Sequence, residues 1–321
     1  MSHMSAHGSK TVIFAALAGN SAIAVTKFIA AAYTGSAAML SEAIHSLVDT
    51  GNQGLILYGM KRASKPATTD HPFGHGLQLY FWAFVVAVLI FGLGAGVSIL
   101  HGISKIHDPS PVENAWVNYL ILGLAILFET GSWLVALREF KAEKGHRSWF
   151  AAVRSSKDPT IFTVLFEDTA ALLGLVVALI GVYLSETLHM PVLDGVASLV
   201  IGLILAVTAM FLAYECQSLL TGEGVAPEAR ESMRALIVEE DGVERINEFL
   251  TMHFGPDEVL VAVSLDFKDN LKASDVEKTV SRLEARLKAV HPEVYRVFIE
   301  AQSFEGHKRA SKPLDKAPAD A

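Results

Sequence analysis

A chain of 321 residues with 51% hydrophobic residues, 19% charged residues and a mean hydropathy of +0.38 is too apolar for an ordinary water-soluble globule. Its net charge of −8, with no strongly basic stretch, excludes a phosphate-tracking nucleic-acid surface. The one cysteine, Cys216, excludes both an internal disulfide and a thiolate metal cluster, so oxygen and imidazole remain as metal ligands.

Residues 1–10 read as an amino-terminal tail that opens with a tag remnant, Met1-Ser2-His3-Met4. No signal peptide is evident, because the first apolar stretch is too long for one and lacks a small-residue cleavage pattern. Apolar runs of bilayer-crossing length predict spans near residues 11–33, 37–60, 78–104, 116–138, 160–185 and 192–216. Lys61, Arg62 and Lys65 follow the second run, and Arg138, Lys141, Lys144, Arg147, Arg154 and Lys157 follow the fourth. The loops after the first and fifth runs carry no Lys or Arg, so the positive-inside rule predicts that both termini are cytoplasmic. The expected fold is an α-helical membrane protein with six transmembrane helices over residues 11–221.

From about Gly222 the composition changes. Pro227 to Glu240 reads as a helix, Arg245 to His253 and Glu258 to Phe267 as strands, Ala273 to Val290 as a helix and Val294 to Gln302 as a strand. Val259, Val261, Val263 and Leu265 alternate with the period of a half-buried strand, and Gly255-Pro256-Asp257 supplies the turn before it. The αββαβ order predicts a small ferredoxin-like domain over residues 222–305, followed by a polar, disordered tail over 306–321.

Ionisable residues at membrane depth are expensive and mark function. The second run holds Glu42, His45, Asp49 and Asn52 three or four residues apart, on one helix face. An imidazole and a carboxylate at i and i+4 can converge on one cation, and mixed nitrogen and oxygen donors suit zinc. Glu167 and Asp168 in the fifth run supply an opposed acidic pair. A structural reading, in which these groups pair with Lys27 or with backbone, competes. It weakens when several carboxylates cluster, because their desolvation calls for a compensating cation. Glu42, Glu129 and Asp194 each read as a ligand, a proton site or an interhelix hydrogen-bond partner, with the structural role favoured for each.

At these residues the sequence resembles the cation diffusion facilitator family of divalent metal transporters. The stretches that carry the resemblance are Ser41-Glu42-Ala43-Ile44-His45-Ser46-Leu47-Val48-Asp49 with Asn52-Gln53, His71-Pro72-Phe73-Gly74-His75-Gly76, and Asp194-Gly195 with Ser198 and Gly202. His45 to Gln53 and Glu167 to Ala171 look most like the zinc transporter nine branch. The resemblance implies six spans, a cytoplasmic ferredoxin-like domain and a homodimer. It also implies a transported Zn2+ ion, with Mn2+, Fe2+, Co2+, Ni2+ and Cd2+ as alternatives.

The transport-site ligands it implies are His45, Asp49 and Asp168. Val164 stands where many relatives carry a fourth, leaving Glu167, Glu42 or water for that place. Asp70, His71 and His75 keep part of an accessory loop site, with Thr68 where some relatives have a carboxylate. Ser264, Glu300 and Gln302 replace the ligands of a cytoplasmic metal cluster, so none is expected there, and His253 and His291 are expected at the surface.

Ligands that must lose protons to bind metal make proton antiport with alternating access the expected mechanism. The membrane expected is a bacterial cytoplasmic one. Two rivals remain: a membrane-embedded zinc-dependent hydrolase, which lacks a His-Glu-x-x-His helix, and a non-transporting scaffold on a transporter fold.

Overall fold

The computed structural model describes residues 6–144 and 156–310. The tag remnant, Arg147, Arg154 and the tail beyond 310 lie outside the described residues. The described residues form two compact units: 6–65 with 78–144 and 156–218, and 66–77 with 219–310.

The first unit is helical: α1 Ala6–Thr34, α2 Ala37–Ala63, α3 Leu77–His107, α4 Ala115–Lys144, α5 Pro159–Thr187 and α6 Val192–Leu220. A π-helical segment, Ile90–Ala95, interrupts α3. Among the described residues four segments are long and apolar enough to cross a membrane: α3, Ala115–Arg138 of α4, Phe162–Thr187 of α5, and α6. The α2 helix carries Glu42, His45, Asp49, Lys61 and Arg62, which cut its hydropathy. It is also the centre of the packing, lying against α1, α3 and α5, while α4 packs on α1 and α5.

Local chemistry sets the helix ends. Gly35 takes φ +64 between α1 and α2, a conformation that costs glycine little. Ser36 then caps α2, its hydroxyl accepting from the Met39 N–H at 3.1 Å and donating to Asp194 at 2.6 Å. Asp194, fully buried in the first turn of α6, also accepts from the Ala37 and Ala38 N–H groups. This is the structural role expected for Asp194, since a buried helix start needs its orphan donors satisfied. Asp158 caps α5 by accepting from the Thr160 N–H at 2.9 Å. Where α3 meets α6 the backbones nearly touch: a Cβ on Gly102 would stand 2.7 Å from the Leu199 nitrogen. Small residues allow that approach.

The second unit runs α7 Pro227–Val238, β1 Val243–Gly255, β2 Glu258–Phe267, α8 Ala273–Val290, β3 Val294–Ala301 and α9 Phe304–Ala310. The sheet order is β1-β2-β3, with β1 antiparallel and β3 parallel to β2. Val259, Val261, Val263 and Leu265 are buried on one face against Met233 and Ile237 of α7 and Leu283 and Leu287 of α8. Glu240 receives Arg282 Nε at 2.8 Å and Arg286 Nη1 at 3.0 Å. Burial alone would raise its carboxyl, but the two guanidinium groups hold it below the usual range.

Three expectations change here. His253 and His291 are not at the surface, being only 4% and 9% exposed. His253 Nδ1 lies 3.1 Å from the Gly255 carbonyl, and His291 bridges Ser232 Oγ at 2.9 Å and Glu293 at 3.1 Å. The turn geometry supplies polar partners, so these imidazoles can be buried. The polar tail begins as helix α9, because the Arg245 guanidinium lies 4.3 Å from the Phe304 ring centroid and Ser303 accepts from the Gly306 N–H.

The loop 66–77, expected inside the transmembrane domain, packs with the carboxy-terminal unit instead. Phe73 stacks on Phe254 at 4.9 Å and meets Phe298 edge-on at 6.5 Å. A Cβ on Gly76 would collide with the Phe254 carbonyl.

Candidate functional site

Within the helical unit a cavity of about 460 Å³ opens between α1, α2, α4 and α5. Its walls carry Asp49 from α2, Glu129 and Ser132 from α4, and Glu167 and Asp168 from α5. Asp49 of the predicted α2 face and the acidic pair of α5 therefore meet, because α2 packs directly on α5.

Behind the wall sits His45, 1% exposed, its Nδ1 3.3 Å from Asp49 Oδ1. Asn52, one turn beyond Asp49, donates to Glu167 Oε1 at 2.6 Å. Asp49 and Glu167 line the same cavity from α2 and α5. Asp168 accepts from Ser132 Oγ at 2.9 Å, and the neighbouring Thr169 hydroxyl accepts from Trp133 Nε1 at 3.0 Å.

Several buried atoms of this face have no hydrogen-bond partner among the described residues. They are His45 Nε2 and Asn52 Oδ1, together with His45 Nδ1 and Asp49 Oδ1, which face only each other, 3.3 Å apart and outside hydrogen-bond geometry. Buried polar groups are normally satisfied, so a row of orphaned atoms along one helix face marks a place built for something to bind. The donor set, imidazole nitrogen and carboxylate oxygen, is that of a divalent cation site. Among the described residues no three His, Cys, Asp or Glu side chains already stand close enough to hold an ion. In this conformation Asp49, Glu167 and Asp168 line the cavity and His45 lies behind its wall, so they do not converge on a single point.

Glu42 shares the helix face but not the cavity. It is fully buried and paired with the Lys27 ammonium at 3.2 Å, an arrangement that agrees with the structural reading. Val164 lines the cavity one turn before Asp168, so no polar atom occupies the position where many relatives have a ligand. Asp70, His71 and His75 lie in the other unit, with the two imidazole rings 4.4 Å apart and Asp70 and His71 exposed.

Glu129, for which the sequence favours a structural role over that of ligand or proton site, lines the cavity. A lone carboxylate in an otherwise apolar span, with Ser132 three residues on, is the signal that points to it.

The cation efflux transmembrane domain model matches residues 13–221. The chain is 34% identical over 262 residues to the proton-coupled zinc antiporter SLC30A9, mitochondrial, of Mus musculus, an alignment that covers 81% of this chain and 46% of that protein. It thus spans about half the length of such relatives. Metal tolerance protein C4 of Arabidopsis thaliana is 26% identical over 250 residues, covering 77% of this chain and 54% of its own length. The cation-efflux pump FieF of Klebsiella pneumoniae (strain 342) is 25% identical over 275 residues, with 84% and 86% covered. A carboxylate-lined cavity between packed helices and a match across about two thirds of the sequence agree: this chain belongs to the cation efflux family.

Proposed function

We propose that the protein exports a divalent metal cation, zinc above all, from the cytoplasm in exchange for protons. The imidazole of His45 and the carboxylate of Asp49, one turn apart on α2 and with His45 Nε2 left without a hydrogen-bond partner among the described residues, carry this reading, because a cation would use one ring nitrogen and neutralise the carboxylate. His45, Asp49 and Asp168 are the ligands, and Glu167 completes the set in place of Val164. Zinc suits this mixture of imidazole and carboxylate, while Mn2+, Fe2+, Co2+, Ni2+ and Cd2+ can use the same donors.

Proton coupling follows from the same atoms. Asp49, Glu167 and Asp168 must be deprotonated to hold the cation, so loading releases the protons they carry. Loading from the cytoplasm, closure of the ligands on the ion, reorientation, and discharge as protons return make one alternating-access cycle. The chain is an integral membrane protein. We assign it six spans, α1 to α6, with both termini cytoplasmic, in a bacterial inner membrane.

The αββαβ unit corresponds to a ferredoxin-like sandwich without its first strand. A homodimer is the expected assembly, and Asp70, His71 and His75 would form a partial accessory site. The family is one of transporters, which removes the hydrolase reading.

Proteoliposomes with a pH-sensitive dye inside test the proposal. Zinc should drive proton movement with the intact protein, and Asp49→Ala and Asp168→Ala should each abolish it. Unchanged flux in both variants would sink the assignment.

A further inference from the structure

Lys27 is an ammonium group buried in the helical unit, 1% exposed, and the proposed transport cycle makes no use of it. It projects from α1 and donates to two side chains of α2, Ser46 Oγ at 2.7 Å and Glu42 Oε2 at 3.2 Å. Glu42 and Ser46 are one helical turn apart, and Ser46 reaches the cavity wall while Glu42 does not.

The far oxygen of Glu42 is turned toward α5. Glu42 Oε1 has no partner among the described residues, and a Cβ on Gly174 would stand 2.5 Å from it. The carboxylate therefore occupies the seam between α2 and α5, a space that exists because residue 174 has no side chain. Ion pair and seam together hold it away from the carboxylates Asp49, Glu129, Glu167 and Asp168 that line the cavity.

Resting on the metal-transport reading, we propose that Lys27 is a specificity-determining residue: by tethering Glu42 it keeps one more carboxylate out of the ligand set, and so favours zinc over manganese. The physical reason is the chemistry of the donors. One imidazole among few carboxylates suits zinc, and each added carboxylate oxygen moves a site toward the harder ions that prefer oxygen. Without Lys27, Glu42 is a buried charge with no cation beside it, which is costly. A metal ion held one turn along α2 is then its nearest source of positive charge. A glutamate side chain spans that turn.

The experiment measures zinc and manganese affinities by calorimetry on the purified full-length protein in detergent at fixed pH. In Lys27→Met the ratio of zinc to manganese affinity should fall at least ~5-fold, equal to about 1 kcal/mol. In Lys27→Met/Glu42→Gln, where the freed carboxylate is gone, the ratio should return to that of the unaltered protein. A smaller fall in the single variant, or no recovery in the double one, overturns the proposal, because a merely structural ion pair would weaken both metals alike.

Glu42→Gln decides the matter even if loss of Lys27 prevents folding. It should leave zinc affinity within ~5-fold of the unaltered protein, and a larger loss would mean that Glu42 already ligates the ion. If the unaltered protein bound neither metal, the transport reading itself would fall, and this inference with it.

Discussion

Asp194→Asn separates the scaffold of the transport unit from its chemistry. The Asp194 carboxylate accepts from Ser36 Oγ at 2.6 Å, from the Ala37 N–H at 2.5 Å and from the Ala38 N–H at 3.3 Å, with no exposure to solvent. Asparagine has one acceptor oxygen. In its better orientation that oxygen keeps Ser36 and Ala38, and the amide nitrogen faces the Ala37 N–H, donor against donor. The hydrogen bond to a charged acceptor is worth about 1.5–3 kcal/mol, and an orphaned buried donor costs about 1–3 kcal/mol. Removing the negative charge from the amino end of α2 adds about 0.3–1 kcal/mol.

The first two contributions overlap, so the lower ends are the better guide and the expected loss is about 3 kcal/mol. Hydrogen exchange on the full-length protein should show the amides of Ala37 to Leu40 opening far more readily. Zinc affinity per folded molecule, measured by calorimetry, should stay as it was. A large loss of zinc affinity with unchanged exchange at Ala37 to Leu40 would refute the assignment of Asp194 as a cap.

Asn52→Leu removes the donor that holds Glu167 Oε1 at 2.6 Å, and should weaken zinc binding by about 1.5–3 kcal/mol in calorimetry; an unchanged affinity would mean that Glu167 needs no positioning. Phe73→Ala takes away the ring stacked on Phe254, and should cost the loop 66–77 about 1–2 kcal/mol of protection in hydrogen exchange. Equal protection in the variant would show that the loop is held by something else.

Glu258→Gln tests a pH dependence. Burial, and then the neighbouring Asp257, raise the Glu258 carboxyl above its usual range, so the folded state binds this proton more tightly than the unfolded one. Its stabilising contribution is complete below the unfolded value, about 4.3, and is lost as pH rises through the raised one. The glutamine variant should therefore unfold at a higher temperature than the parent at pH 7, with the gap closing near pH 4. A gap that did not change between those pH values would contradict it.

Much of the architecture is legible in the sequence because its causes are local in the chain. Apolar runs of bilayer length become helices wherever they occur, since backbone groups in lipid must be satisfied within the segment. The limits of β2 and α8 fall where Val259 to Leu265 alternate and where Ala273 to Val290 repeat with helical period. Glu42, His45, Asp49 and Asn52 share a face for the same reason, and Glu167 with Asp168 stand out by charge alone.

What the chain order does not convey is which neighbour each group meets. Glu42 and His45 are three residues apart on α2, yet one is held by Lys27 beside α5 and the other lies against Asp49 behind the cavity. Glu129 becomes part of the cavity because α4 packs on both α1 and α5. His253 and His291 have the composition of surface residues, but a carbonyl, a hydroxyl and a carboxylate from other positions make their burial possible.

The loop 66–77 carries no periodicity that would assign it to either unit. The stacking of Phe73 on Phe254, 181 residues later in the chain, joins it to the second. Sequence by itself determined the elements and the kinds of donor atom, because both depend on residue type and spacing. Tertiary packing alone decided which charges are neutralised by partners and which are left orphaned around the cavity, because the pairing of buried charges depends on helices far apart in the chain.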